Sequence, residues 1–281
     1  MTYSAPSWRR HSAAQRGGDV IEKANQPTPL LCCQEVRVRF GGIVALDGVS
    51  FDVGKGQIVA IIGPNGAGKT TLFNCISRLY PFDGGDILLE GRSVRDLPSH
   101  RMAALGIART FQNVALFDSL SVAENITLGA HASLGGGFFA HALRLPRAAR
   151  AERKLAAEVA EIVTLLDLDQ VVHRRVGELP FGTRKRVELG RALAGKPRLL
   201  LLDEPAAGLN HTEVDELTSM IAHIAERFAL SVLLVEHHMN VVMRISHRVL
   251  VLDFGRKIGD GTPQEVKSDP QVIRAYLGDP S

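Results

Sequence analysis

The chain has 281 residues, 45% of them hydrophobic, with 33 Lys and Arg against 30 Asp and Glu for a formal net charge of +3. That composition supplies a packed core and excludes a disordered or low-complexity chain. Residues 1–28 carry Arg9, Arg10, Arg16 and Lys23 against Asp19 and Glu22, leaving 29 basic and 28 acidic residues elsewhere, and so neutral a body argues against a binder of duplex nucleic acid.

The three cysteines, two of them adjacent as Cys32-Cys33, form neither a disulfide framework nor a metal-ligand spacing, so a reducing compartment is expected. No apolar stretch reaches the roughly 18 to 20 residues that span a bilayer, so a membrane role would run through partners. Residues 1–28 read as a disordered tail. Arg9-Arg10 is followed by His11–Gly18, which lacks the hydrophobic region of a twin-arginine signal. Residues 29–281 read as the folded part.

From Gln34 to Val53 apolar and polar residues alternate, with Val36, Val38 and Phe40, a Gly41-Gly42 turn, then Val44-Ala45-Leu46 and Val49–Val53. This predicts an antiparallel sheet. Phe40 is an aromatic that can stack on a base or face the core. Gln57–Ile62 follows as an apolar, β-branched strand, and Thr71–Ile76 can continue as a helix. Between them lies Gly63-Pro64-Asn65-Gly66-Ala67-Gly68-Lys69-Thr70-Thr71, a match to the phosphate-binding pattern G-x-x-x-x-G-K-[ST].

The glycines of that loop let backbone N–H groups converge on a polyanion, and the following helix turns its positive end toward the phosphates. Lys69 is expected on the β- and γ-phosphates and Thr70 on Mg²⁺, with Asn65, Ala67 and Thr71 completing the cradle. A nucleoside triphosphate is the expected ligand.

After a turn at Tyr80–Gly85, Asp86–Glu90 predicts a short strand, and residues 98–110 predict a helix running into Phe111-Gln112. Residues 113 to about 195 are rich in Ala, Leu and Arg, and Leu155, Val159, Ile162, Val163 and Leu166 keep helical spacing, so a mainly helical subdomain is expected there. Phe138 and Phe139, beside three glycines, suit a small satellite core ahead of contact with a membrane surface or partner, and Arg144, Arg147, Arg150, Arg153 and Lys154 suit a solvated face. The run Leu199–Leu202 then ends in Asp203-Glu204, an apolar strand whose acids emerge at its C-terminal end, where α/β sheets place ligand chemistry.

Val214, Leu217, Ile221, Ile224 and Phe228 predict a helix, Val232–Val235 a strand leading to Glu236-His237-His238, and Val249–Leu252 with Lys257-Ile258 the last strands before a charged tail. Beside a phosphate loop, Asp203 is expected to hold Mg²⁺ and Glu204 to polarise the attacking water. His237 can contact the γ-phosphate or serve the fold. His237-His238 lacks the further ligands that a metal pair needs.

These motifs together resemble the ATP-binding subunits of ABC transporters, and within them the LivG-type subunits of branched-chain amino acid importers. The carriers are the phosphate loop, Gly106–Asn113, Leu179-Pro180-Phe181-Gly182-Thr183, Asp203–Asn210, Val235-Glu236-His237 and Ala275–Gly278. The resemblance implies an α/β P-loop ATPase fold with a mainly parallel core sheet, an antiparallel β subdomain and a helical subdomain. It implies Phe40 as the base-stacking aromatic, Gln112 as a sensor of Mg²⁺ and water, and His237 as the γ-phosphate switch. Lys69, Gln112, Glu204 and His237 are the catalytic set it points to; Thr70, Gln112 and Asp203 are the metal set.

Leu179–Thr183 occupies the place of the signature L-S-G-G-Q, so Pro180 and Gly182 are expected to close over the nucleotide of a second ATPase subunit. Pro180, Phe181 and Thr183 depart from that pattern, and Asn210 stands where many relatives carry aspartate. The implied partners are that second subunit, identical or related, two integral membrane permease subunits and, indirectly, a substrate-binding protein, at the cytoplasmic face of the membrane. A weakly catalytic regulatory subunit is the alternative that Pro180, Thr183 and Asn210 raise, and an ABC ATPase of another transport system is a further one.

Overall fold

The computed structural model describes residues 28–110, 114–133 and 146–277. Two sheets share the chain. In the first, β2 (Ile43–Val53), β1 (Leu31–Phe40), β4 (Gly84–Leu89) and β5 (Arg92–Ser93) lie in the order β2-β1-β4-β5, and every paired strand is antiparallel. The second has the order β10-β9-β3-β8-β7-β6, where β3 is Ile58–Ile62, β6 Ile107–Arg109, β7 Leu199–Asp203, β8 Ser231–Val235, β9 Arg248–Asp253 and β10 Arg256–Gly261. Strands β9, β3, β8, β7 and β6 run parallel, and β10 closes the edge antiparallel to β9.

Strands β3, β7 and β8 are buried at every residue, as their near-continuous Val, Ile and Leu runs require of a parallel sheet covered on both faces. Their side chains alternate between two cores. Ile58, Ala60 and Ile62 of β3 pack with Leu200 and Leu202 toward helices, whereas Val59 and Ile61 pack with Leu199, Leu201 and Phe73 toward the antiparallel sheet.

Helix α1 (Lys69–Ile76) lies in the second core through Leu72, Phe73 and Ile76. In the other core, α3 (Val122–Ser133), α4 (Pro146–Leu165) and α5 (Phe181–Ala194) contribute Val122, Ile126, Val159, Val163 and Val187. Helix α6 (His211–Arg227) joins them through Leu217, Ile221 and Ile224, and α7 (Met239–Ile245) through Val241 and Val242. Two short helices, α8 (Pro263–Ser268) and α9 (Pro270–Leu277), end the described chain.

Three expectations need correction. The helix over 98–110 is only α2 (Arg101–Ala104), because Gly106 turns at φ +82° and Ile107–Arg109 pairs in parallel with Leu199–Leu201 instead. Phe228 is the C-cap residue of α6 and is exposed, so the apolar stripe of that helix ends at Ile224. The charged tail forms α8 and α9, where Thr262 caps α8 in a reciprocal box with Glu265 and Pro263 stands at its start.

Phe138, Phe139 and Arg144 lie outside the described residues, as do residues 1–27; Arg153 and Lys154 are exposed on α4. No helix among the described residues is long and apolar enough to cross a membrane.

Candidate active site

The loop after β3 takes its shape from backbone contacts. Gly63 sits at φ +152°, and a Cβ there would lie 2.1 Å from the carbonyl oxygen of Leu252 at the end of β9. At Gly68, with φ +99°, it would lie 2.6 Å from the Ala45 carbonyl. No side chain fits either place. The Gly255 amide donates to Ala67 O at 3.0 Å and the Asp47 amide to Gly255 O at 2.8 Å, so the turn after β9 fastens the loop to β2.

Helix α1 opens directly at Lys69 and leaves its first N–H groups facing the loop. Lys69 is buried, and its Nζ donates to Gly63 O at 2.7 Å and Pro64 O at 2.9 Å. Burial lowers the pKa of this ammonium, while the carboxylates of Glu204 and Asp203 act in the opposite direction. Asn65, Gly66 and Thr70 are exposed beside it, Ala67 is buried and Thr71 is half-buried.

Asp203 ends β7 with 4% of its surface exposed. Arg109, from the neighbouring β6, donates from Nη2 to Asp203 Oδ2 at 2.8 Å and from Nη1 to Asn74 Oδ1 at 2.7 Å and Ser77 Oγ at 2.8 Å. One guanidinium thereby ties the strand-end acid to the helix that follows the phosphate loop, using the planar fork that suits arginine to such bridging.

Glu204 holds a left-handed φ of +48°, and its amide donates to Val235 O at 2.9 Å. His237 follows β8, and its Nδ1 lies 3.8 Å from Glu204 Oε1, close enough for ionic contact but not a hydrogen bond. Lys69, Asp203, Glu204 and His237 therefore meet at the C-terminal edge of β3, β7 and β8.

Pro180 is the N-cap of α5, and Gly182 lies in that helix's first turn. A Cβ on Gly182 would come 2.6 Å from Glu213 Oε1, and one on Gly208 would come 3.0 Å from the Phe181 ring, so this loop packs on the start of α6. Asn210 caps α6, accepting from the Glu213 amide at 3.0 Å while Glu213 Oε2 accepts from the Asn210 amide at 3.0 Å. Lys185 of α5 is buried and faces the acid group: burial lowers its pKa against the pull of Glu188, Glu236, Glu204 and Asp203.

Phe40 is 48% exposed and meets Tyr80 edge-to-face, with ring centroids 5.6 Å apart. Of its two readings, the core-facing one does not hold. Gln112 lies outside the described residues.

The ABC transporter family model matches residues 46–207, from β2 through the loop after β7. The chain belongs to the ABC transporter family. A second model, described as branched-chain amino acid ATP-binding cassette transporter, matches residues 256–280. The high-affinity branched-chain amino acid transport ATP-binding protein BraF of Pseudomonas aeruginosa is 41% identical over 89% of this chain and 98% of its own. LivG of Escherichia coli K12, of the same description, is 39% identical over the same shares.

Among solved structures, the ADP conformation of an ATP-binding cassette superposes with a TM-score of 0.76 at 28% identity, covering 90% of this chain and all of that one. A nucleotide-free cassette gives 0.75 at 30%, covering 89% and 100%. The chain is an ABC ATPase: it binds nucleotide and hydrolyses ATP.

Several residues of this ABC ATPase site escaped the sequence reading. Arg109 carried a signal, a cation inside a short apolar segment that the helix expectation absorbed. Tyr80 carried none beyond its ring. Tyr276 of α9 reaches the Gly63 backbone, an interaction that opposes the rise in phenol pKa caused by burial. The segment matched by the branched-chain model thus touches the first glycine of the phosphate loop.

Proposed function

We propose that this chain is the ATP-hydrolysing subunit of a branched-chain amino acid importer, acting as a peripheral subunit on the cytoplasmic side of two membrane permeases. The observation that carries this reading is the convergence of Lys69, Asp203, Glu204 and His237 at one sheet edge, in a chain whose C-terminal segment matches the branched-chain model.

In this mechanism the loop amides of Gly63–Thr71 and the N-terminus of α1 bind the triphosphate, and Lys69 leaves its two loop carbonyls to take the β- and γ-phosphates. Phe40 offers its exposed ring to the adenine. Glu204 orients a water for in-line attack on the γ-phosphorus, and His237 donates toward the γ-phosphate oxygens. The water oxygen bonds to phosphorus as the bond to the β-γ bridging oxygen breaks, releasing ADP and phosphate.

The donor set fits magnesium. The Thr70 hydroxyl and the Asp203 carboxylate are hard oxygen ligands near the phosphate cradle, and Gln112 would add a third. Bound there, the ion would neutralise charge on the β- and γ-phosphates.

Gly182 sits against Glu213 of α6, and Pro180 and Gly182 serve the nucleotide held by a second ATPase subunit. A cavity of about 490 Å³, lined in part by Met102, Phe117, Leu128 and Arg191, suits a permease segment. Arg109 lines the same cavity and binds Asp203, so a segment seated there would reach the metal-binding acid through one side chain.

The deciding experiment is Glu204→Gln in the full chain. ATP binding is expected to persist within about twofold while steady-state hydrolysis falls by at least 10²-fold. Unchanged turnover would reject Glu204 as the water-orienting group, and absence of ATP binding by the unsubstituted chain would reject the reading as a whole.

A further inference from the structure

Glu236 directly follows β8 and exposes none of its surface. Its two carboxylate oxygens serve two different loops. Oε1 accepts from the Ala206 amide at 2.9 Å. Oε2 accepts from the amides of His237 at 2.9 Å and His238 at 3.0 Å, and lies 3.1 Å from His238 Nδ1.

Ala206 is two residues beyond Glu204, so one side chain joins the loop bearing the catalytic acid to the loop bearing the switch histidine. Other contacts close the same circuit. The rings of His237 and His238 lie 4.5 Å apart at 33°, and Glu204 Oε1 lies 3.8 Å from His237 Nδ1.

A buried carboxylate is costly unless its oxygens are satisfied, and three backbone donors with a neighbouring buried Lys185 meet that demand here. The loop it anchors at Ala206 carries Glu204 at φ +48°, a left-handed conformation whose amide is fixed on Val235 O at 2.9 Å.

We propose that Glu236 is a positioning residue for hydrolysis, a buried clamp that sets Glu204 and His237 at their working separation. The inference rests on the proposed roles of Glu204 and His237. Glutamine separates the clamp from simple filling of space, because it has nearly the same shape but only one acceptor oxygen. Its NH₂ must face either Ala206 N–H or the two histidine amides, donor against donor, and one loop is released.

The test is single-turnover hydrolysis and ATP binding by the full chain, with thermal denaturation measured in parallel. Glu236→Gln is expected to lower the hydrolysis rate at least tenfold while the Kd for ATP stays within twofold, since the phosphate loop is untouched. His238→Ala, at a partly exposed position that leaves the backbone bonds intact, is expected to lower the rate two- to fivefold with the same Kd. In a His237→Ala background, Glu236→Gln is expected to add less than threefold, because the clamp acts partly through that histidine.

A rate within twofold of the unsubstituted chain for Glu236→Gln would overturn the proposal. So would rate and affinity falling together in proportion to lost folded protein, and so would full additivity with His237→Ala. If Glu236→Gln does not fold, His238→Ala decides alone, and an unchanged rate there overturns the clamp. An unsubstituted chain that hydrolyses ATP alongside any overturning result leaves the functional reading standing; one that binds no ATP removes both.

Discussion

The phosphate loop and the signature loop are both glycine-bearing turns that open a helix, yet they are held in different ways. At Gly63 and Gly68 the atoms that forbid a side chain are backbone carbonyls, those of Leu252 and Ala45, on strands that cannot retreat. At Gly182 the nearest atom is a carboxylate oxygen of Glu213, and Gly208 faces the ring of Phe181. A loop clamped by backbone keeps a strict motif. A loop held by side chains has room to seat Pro180, Phe181 and Thr183, because a side chain can shift where a strand carbonyl cannot.

The same substitution in both loops breaks or sharpens this comparison. Gly63→Ala would place a Cβ only 2.1 Å from the Leu252 carbonyl oxygen at a positive φ, and the expected cost is roughly 3 kcal/mol or more. Thermal denaturation should show a large fall in Tm, and ATP binding should be lost.

Gly182→Ala meets the far end of a flexible side chain, so its stability cost is expected near ~1 kcal/mol, about that of disturbing the α6 cap. Its ATP affinity as a monomer should be unchanged, while turnover that needs two subunits should fall about tenfold. Equal stability losses in the two variants would show that the loops are not held differently after all.

The same contrast explains what could be read from sequence. The phosphate loop was legible because its constraint is local: glycines, lysine and threonine at fixed spacing between a strand and a helix. Asp203 and Glu204 were legible from the apolar run of β7. The strand Ile107–Arg109 was not, since its pairing partner Leu199–Leu201 is distant in sequence and its own residues suit a helix equally well. Glu236 was hidden for a related reason. Its donors come from residues 206, 237 and 238, and a carboxylate after a strand resembles any surface acid until those amides are brought together. The cap at Asn210 left a signal that went unused, the Asn-x-x-Glu spacing of Asn210 and Glu213.

Asn210 gives the smallest and sharpest test. In isolation, asparagine where relatives carry aspartate suggests a weakened contact between subunits. In the structure its first duty is internal: the side chain caps α6, and Glu213 returns the bond while standing over Gly182. Asn210→Ala should therefore lower stability by about 1 kcal/mol and loosen the seat of the signature loop. Asn210→Asp keeps the acceptor and places a negative charge at the positive end of the helix, so stability should stay level or rise by a few tenths of a kcal/mol.

Denaturant midpoints of the two variants read the cap. Turnover then tests the proposed contact with a second subunit, because aspartate keeps the cap's acceptor while changing the charge at that position. If Asn210→Ala costs nothing, the cap does not hold this region, and the side-chain account of the signature loop fails with it.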